Sequence, residues 1–127
     1  MIRYISREQG LRIARHATGA PIEVRDIGLF EAALLRPQTS LLGRDAYPDL
    51  PTKAAAILHS ILSNHPFVDG NKRAGWLTTY VFCAKNGVEI EPQDDDAAYD
   101  FVIAVASGKL TEVGEIADVL RGFTAAS

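Results

Sequence analysis

Nine consecutive residues, His65-Pro66-Phe67-Val68-Asp69-Gly70-Asn71-Lys72-Arg73, gather an imidazole, a carboxylate, a carboxamide, an ammonium and a guanidinium around one glycine. An apolar helical pattern follows directly. A glycine lets the main chain approach an anion closely, and the first turn of a helix carries N–H groups without intrahelical partners. Lys72 and Arg73 add full positive charge at that point. Phosphoryl or nucleotidyl transfer needs these parts, because a polyphosphate must be held in line and its shifting charge neutralised. In that chemistry Lys72 and Arg73 are the charge clamps, and the backbone from Gly70 to Lys72 is an anion nest. Asn71 either anchors the loop or hydrogen-bonds a phosphate oxygen. Asp69 either binds Mg²⁺ through oxygen or orients His65 and raises its basicity. His65, which exchanges a proton near neutral pH without large tuning, is the general base.

The same residues have a plainer interpretation. A histidine before proline often ends a helix, Asp-Gly-Asn is ordinary turn chemistry, and Lys-Arg is common at a solvated helix edge. A turn, however, needs neither the histidine nor two adjacent cations, so the joint order favours an anion site. Other candidates carry less. His16 and His59 fall within helical patterns as packed or partly exposed side chains, and His65 with Asp69 lacks a second histidine or cysteine nearby for zinc. Asp94-Asp95-Asp96 lacks the spacing of a calcium loop and suits a helix start. Trp76 and Cys83 are expected in the core.

The elements that must position the cluster are helices. Ser6 with Gln9 forms a capping box for a helix through Leu11, Ile13, Ala14 and Ala17 to about Thr18, broken at Gly19-Ala20-Pro21. Asp26 caps a second helix bearing Leu29, Phe30, Ala33 and Leu34, ended by Pro37 near Leu35 or Arg36. Residues 38–48 lack a helical period and predict a short hairpin or exposed flap. Asp49 caps a third helix with Pro51 near its start and a buried stripe of Ala54, Ile57, Leu58, Ile61 and Leu62, which delivers the chain to His65. Pro66 to Asn71 is expected as loop. A fourth helix carries Ala74, Leu77, Thr78, Val81 and Phe82 as far as Asn86-Gly87. Val88 to Pro92 is short and extended. One of Asp94 to Asp96 caps a fifth helix with Ala98, Phe101, Val102 and Val105, and Thr111 opens a last one with Val113, Ile116, Ala117 and Leu120.

A chain of 127 residues with 47% hydrophobic content supports one domain over residues 1–127 with a core of its own. Thirteen basic against sixteen acidic residues give a net charge of −3, which argues against a general binder of nucleic acid or membrane surfaces. The single cysteine excludes an internal disulfide. The first residues lack the pattern of a signal peptide, and a cytoplasmic location is expected.

The segment His65 to Arg73 resembles the signature of the Fic/Doc family, in the form carried by death-on-curing toxins. The likeness extends over residues 6–122, through Arg25 to Leu34, Arg36-Pro37-Gln38, Tyr47 to Leu50, Lys53-Ala54-Ala55 and Val81-Phe82 to Asn86-Gly87. It implies an all-α, compact bundle of about six helices with a short β-hairpin flap, whose residues Thr39, Ser40, Leu41 and Leu42 would align an extended segment of a target protein. It implies catalytic roles for His65, Asp69, Lys72 and Arg73, phosphate binding by Gly70, Asn71, Lys72 and Arg73, ATP as donor and Mg²⁺ at Asp69. Most Fic enzymes transfer AMP and carry a second glycine where this chain has Lys72 and an arginine where it has Trp76. The death-on-curing form is implied to transfer the γ-phosphate of ATP to a threonine of elongation factor Tu, stopping translation, because a lysine in place of glycine takes backbone room from one phosphate and turns the donor around. Gly70 stands where many of those toxins have alanine, which is closer to the AMP-transferring enzymes. No Ser/Thr-x-x-x-Glu-Gly/Asn stretch of the self-inhibiting kind is present, so the implied partner is a small antitoxin whose disordered tail folds on binding. Adenylylation of a protein hydroxyl, or a non-catalytic interaction role, are the competing functions.

Overall fold

The computed structural model describes residues 1–19 and 21–124. Six α-helices run in chain order among them: α1 (Arg7–Thr18), α2 (Ile27–Leu35), α3 (Leu50–Asn64), α4 (Asn71–Lys85), α5 (Asp95–Ala106) and α6 (Val113–Phe123). A 3₁₀ turn, Arg36–Gln38, follows α2. A two-stranded antiparallel hairpin, β1 (Ser40–Leu41) and β2 (Arg44–Asp45), precedes α3. The fold is the all-α arrangement with a hairpin flap that the sequence implied.

Side-chain caps set most helix starts. Ser6 and Gln9 exchange both bonds of a capping box on α1, while Asp26, Asp49 and Asp94 accept from the third residue of α2, α3 and α5. The last helix departs from expectation. Glu112, not Thr111, is its N-cap residue, and no side chain caps it. Gly19 closes α1 in the left-handed conformation at φ 69°. Ala20, part of the expected break, lies outside the described residues. The 88–92 segment is extended only to the extent that Ile90 forms an isolated bridge with Thr124.

Helix α3 is the centre of the packing. The expected stripe proves too narrow, since Lys53, Ala55, Ala56 and Ser60 are buried along with Ala54, Ile57, Leu58, Ile61 and Leu62. Helices α2, α4, α5 and α6 and the 3₁₀ turn all lie against it. Small residues allow this closeness. A Cβ on Gly75 of α4 would sit 3.2 Å from Leu62 and 3.3 Å from Ile61, so the glycine brings α4 onto the end of α3 that carries His65. Burial pushes the Cys83 thiol of α4 up to about 12. Alkylation at pH 8 should therefore leave the native chain unmodified and label Cys83 only after denaturant is added, a difference that mass spectrometry reads directly.

The hairpin turn places Leu42 and Gly43 at φ 53° and 77°, the pattern of a type I′ turn. Leu41 and Leu42 are 71% and 95% exposed, and the base beneath them is tied down. Lys53, 2% exposed, donates to the Pro37 carbonyl at 3.1 Å and lies 3.5 Å from the Asp45 carboxylate. Arg36 donates to the Tyr47 hydroxyl, to Ser60 Oγ and to His59 Nδ1, each at 2.9 Å. Its guanidinium also lies 5.4 Å from the centre of the Tyr47 ring.

Burial, and then the nearby Arg36 charge, hold the His59 pKa below its ordinary value of 6.5. The unfolded chain takes up this proton first. The His59 contribution to stability is thus intact above about pH 6.5 and is lost as the pH falls through the lower folded value. Thermal melts from pH 8 to pH 5 should show this decline, and His59→Gln should flatten it.

Candidate active site

The chain reaches His65 through a helix end that is unusual for a side-chain-bearing residue. His65 caps α3 in the left-handed region, at φ 49° and ψ 63°, with its N–H donating to the Ile61 carbonyl at 3.1 Å. For a non-glycine residue this conformation costs about 1–2 kcal/mol, so neighbouring contacts must hold it. Pro66 prevents continuation of the helix. Phe67 then plunges inward, 1% exposed, with its ring centre 4.8 Å from that of Phe30.

A second chain segment clamps the loop. Val24 bridges Phe67, Val68 donates to the Glu23 carbonyl at 3.0 Å, and the N–H groups of Arg25 and Asp26 both reach the Pro66 carbonyl, at 2.8 and 3.0 Å. The Arg25 guanidinium adds bonds to the carbonyls of His65, at 2.7 Å, and of Asn64, at 2.5 Å. The Asn71 carboxamide closes the loop from the other side. Its Oδ1 accepts from the Phe67 N–H at 3.0 Å and its Nδ2 donates to the Phe67 carbonyl at 2.9 Å. Of the two roles the sequence left open, the anchor is therefore the one the structure displays, with the second Nδ2 hydrogen still free to meet an anion.

Asp69 is placed differently from one of its two expectations. Its Oδ1 accepts from the Gly70 N–H at 2.8 Å, and no bond joins it to His65 among the described residues. The reason is local: an aspartate before a left-handed glycine folds back onto the next amide before it can reach a ring four residues away. Its second oxygen remains available on the exposed side. One open, hard carboxylate oxygen beside an uncapped helix start is the kind of donor Mg²⁺ takes, since that ion commonly binds one or two carboxylates and fills its shell with other oxygens and water.

Gly70 sits at φ 80° and is the N-cap of α4, with no side chain to cap the helix. An added Cβ would lie 2.6 Å from Thr18 Cγ2, so both conformation and space call for glycine here. The first free amides of α4, from Asn71, Lys72 and Arg73, consequently point out of the helix without a capping oxygen. Both cationic side chains are exposed, and neither forms an ion pair among the described residues.

These groups share one cleft of about 680 Å³, lined on one side by His65, Asp69, Gly70, Asn71, Lys72 and Arg73. The rest of the lining is largely apolar: a wall of Ala98, Tyr99, Val102, Ile103 and Ala106 from α5, together with Leu62, Val68 and Trp76. The size and the mixture of polar rim and apolar wall are those of a small-molecule site. Sequence reasoning missed the wall. Its signal was an apolar stripe on α5 at spacings of one, three and four residues, which shares only Val102 with the buried set Phe101, Val102 and Val105. Trp76 is also more exposed than a core residue. It is half-buried, in edge contact with Phe101 at 6.1 Å and Phe123 at 6.5 Å, and one side of it faces the cleft. The four flap residues Thr39 to Leu42 do not line this cleft.

A loop-and-helix site of this form on an all-helical scaffold is the mark of a known class. The chain belongs to the Fic/DOC family, whose model matches residues 2–83. It is also similar, at 43% identity over 128 residues, to a protein named Toxin Doc from Mycolicibacterium smegmatis (strain ATCC 700084 / mc(2)155), a match that covers 100% of this chain and 98% of the relative. Among the described residues no helix is long and apolar enough to cross a membrane.

Proposed function

We propose that this chain is the toxin of a toxin–antitoxin pair and that it transfers the γ-phosphate of ATP to a threonine of a protein target, elongation factor Tu. The observation that carries the reading is the uncapped α4 terminus, with its free amides, Lys72 and Arg73, opening onto the same cleft as His65. The family match and the full-length likeness to a protein named Toxin Doc support it.

In this reading the triphosphate lies across the amides of residues 71–73, and Lys72 and Arg73 balance its charge. His65 accepts the proton of the threonine hydroxyl as its oxygen bonds to the γ-phosphorus, and the bond from that phosphorus to the bridging oxygen breaks to release ADP. Asp69 would hold Mg²⁺ through its open oxygen, and the ion, when bound, would neutralise phosphate charge. The apolar α5 wall and Trp76 face the less polar end of the nucleotide. The flap Thr39 to Leu42, a pinned hairpin with exposed leucines at its tip, would align the target segment. Inhibition would come from an antitoxin tail that folds onto the toxin.

The test uses ATP labelled at either the α- or the γ-phosphorus, incubated with the protein and a cell extract. Label from the γ-position alone should enter one protein band, and changing Lys72 and Arg73 together to glutamine should abolish it. Transfer of α-label would assign adenylylation, and growth arrest retained by the double variant would assign a non-catalytic interaction role.

A further inference from the structure

An imidazole that takes a proton must be aimed, and the common device is an acceptor on its second ring nitrogen. Among the described residues the His65 ring has no such partner, and the nearest carboxylate in sequence, Asp69, is engaged by the Gly70 N–H. What the protein does fix is the direction in which the side chain leaves the main chain and the rotamers open to it, both governed by the left-handed backbone of His65. One residue forty positions earlier holds that main chain. Arg25 donates Nε to the His65 carbonyl at 2.7 Å, Nη2 to the Asn64 carbonyl at 2.5 Å and its backbone N–H to the Pro66 carbonyl at 2.8 Å.

Three consecutive carbonyls are thus fixed by a single residue, two of them by a planar fork whose donors diverge at a fixed angle. The guanidinium also supplies positive charge at the carbonyl end of α3, where such charge is favourable. From this geometry we infer that Arg25 is a positioning residue for His65: it sets the direction of the imidazole through the backbone and touches no substrate. The inference rests on reading His65 as the base. Backbone ties from Glu23 and Asp26 to Val68 and Pro66 do not depend on the Arg25 side chain, so the loop stays attached when that side chain is removed.

The decisive measurement is the ring ¹⁵N–¹H correlation spectrum of the full chain labelled at its three histidines. Arg25→Ala should shift or broaden the His65 ring signals and leave those of His16 and His59 in place. Arg25→Lys, with one point donor, should give an intermediate spectrum. Asp26→Ala, which removes the α2 cap from the adjacent position, should lower the melting temperature without moving His65. Unchanged His65 signals in Arg25→Ala, or the same change in Asp26→Ala, would overturn the inference. This readout involves no substrate, so it decides the role of Arg25 even if another group is transferred. With a phosphorylatable target, Arg25→Ala should lower kcat by about 10²-fold at unchanged KM for ATP, and added guanidinium should restore part of it. A rise in KM with kcat preserved would contradict the positioning role.

Discussion

Replacing His65 with alanine should abolish growth arrest and slow group transfer by about 10²–10⁴-fold, the range attributable to a well-placed general base. The fold should survive the change. The ring is exposed and has no hydrogen-bond partner among the described residues, and alanine meets the same left-handed backbone that histidine already tolerates. A melting temperature close to that of the parent, combined with loss of arrest, is the expected pair of results. A variant that melts normally and still arrests growth would remove His65 from the mechanism. The comparison with Cys83 is instructive, because a nucleophile buried in α4 with its thiol pushed up to about 12 has no comparable role available.

Truncating Phe67 to alanine should produce the largest stability loss near the site, about 3–5 kcal/mol by the usual range for a buried phenylalanine. Its ring is 1% exposed and packs against Phe30 of α2, while its backbone N–H and carbonyl are both held by Asn71. The residue therefore joins the loop after His65 to the core from the side chain and to α4 from the main chain. Urea titration should show a lower midpoint at unchanged slope, which assigns the effect to stability alone. Phe67→Leu, which keeps most of the volume, should cost less than about 1.5 kcal/mol. If Phe67→Ala behaved like the leucine variant, the loop would not depend on this anchor.

Much of the scaffold is legible in the sequence because its signals are local. Ser6, Asp26, Asp49 and Asp94 each bond an amide three residues away, and such caps can be read from neighbouring letters alone. Where no side chain caps the helix, as at Glu112, the start was misplaced onto Thr111. The hairpin was visible as a gap in helical period.

Long-range relations were hidden for the opposite reason. The full burial of α3 follows from neighbours on several sides, so its apolar stripe understated it. Lys53 stood in the sequence only as part of a family pattern, yet its buried ammonium ties the 3₁₀ turn to the hairpin across a distance no local rule describes. The site shows the same division. The nine-residue run could be picked out in the sequence as the candidate site, and its polar residues do line one cleft, whereas Arg25, thirty-nine and forty residues from its carbonyl partners, and the α5 wall became apparent only once the helices were packed. Asn71 had two readings in sequence, and the position of the Phe67 backbone brought the anchoring one into view.

The claim on which all of this depends is that the cleft between the loop, α4 and α5 presents the last phosphorus of ATP to a protein hydroxyl beside His65. Intact-mass spectrometry of purified elongation factor Tu, after incubation with the chain and MgATP, tests it most directly. The expected result is a gain of one phosphate, mapped to a threonine and absent with His65→Ala. A gain of AMP, or an unmodified factor beside a chain that still arrests growth, would contradict it.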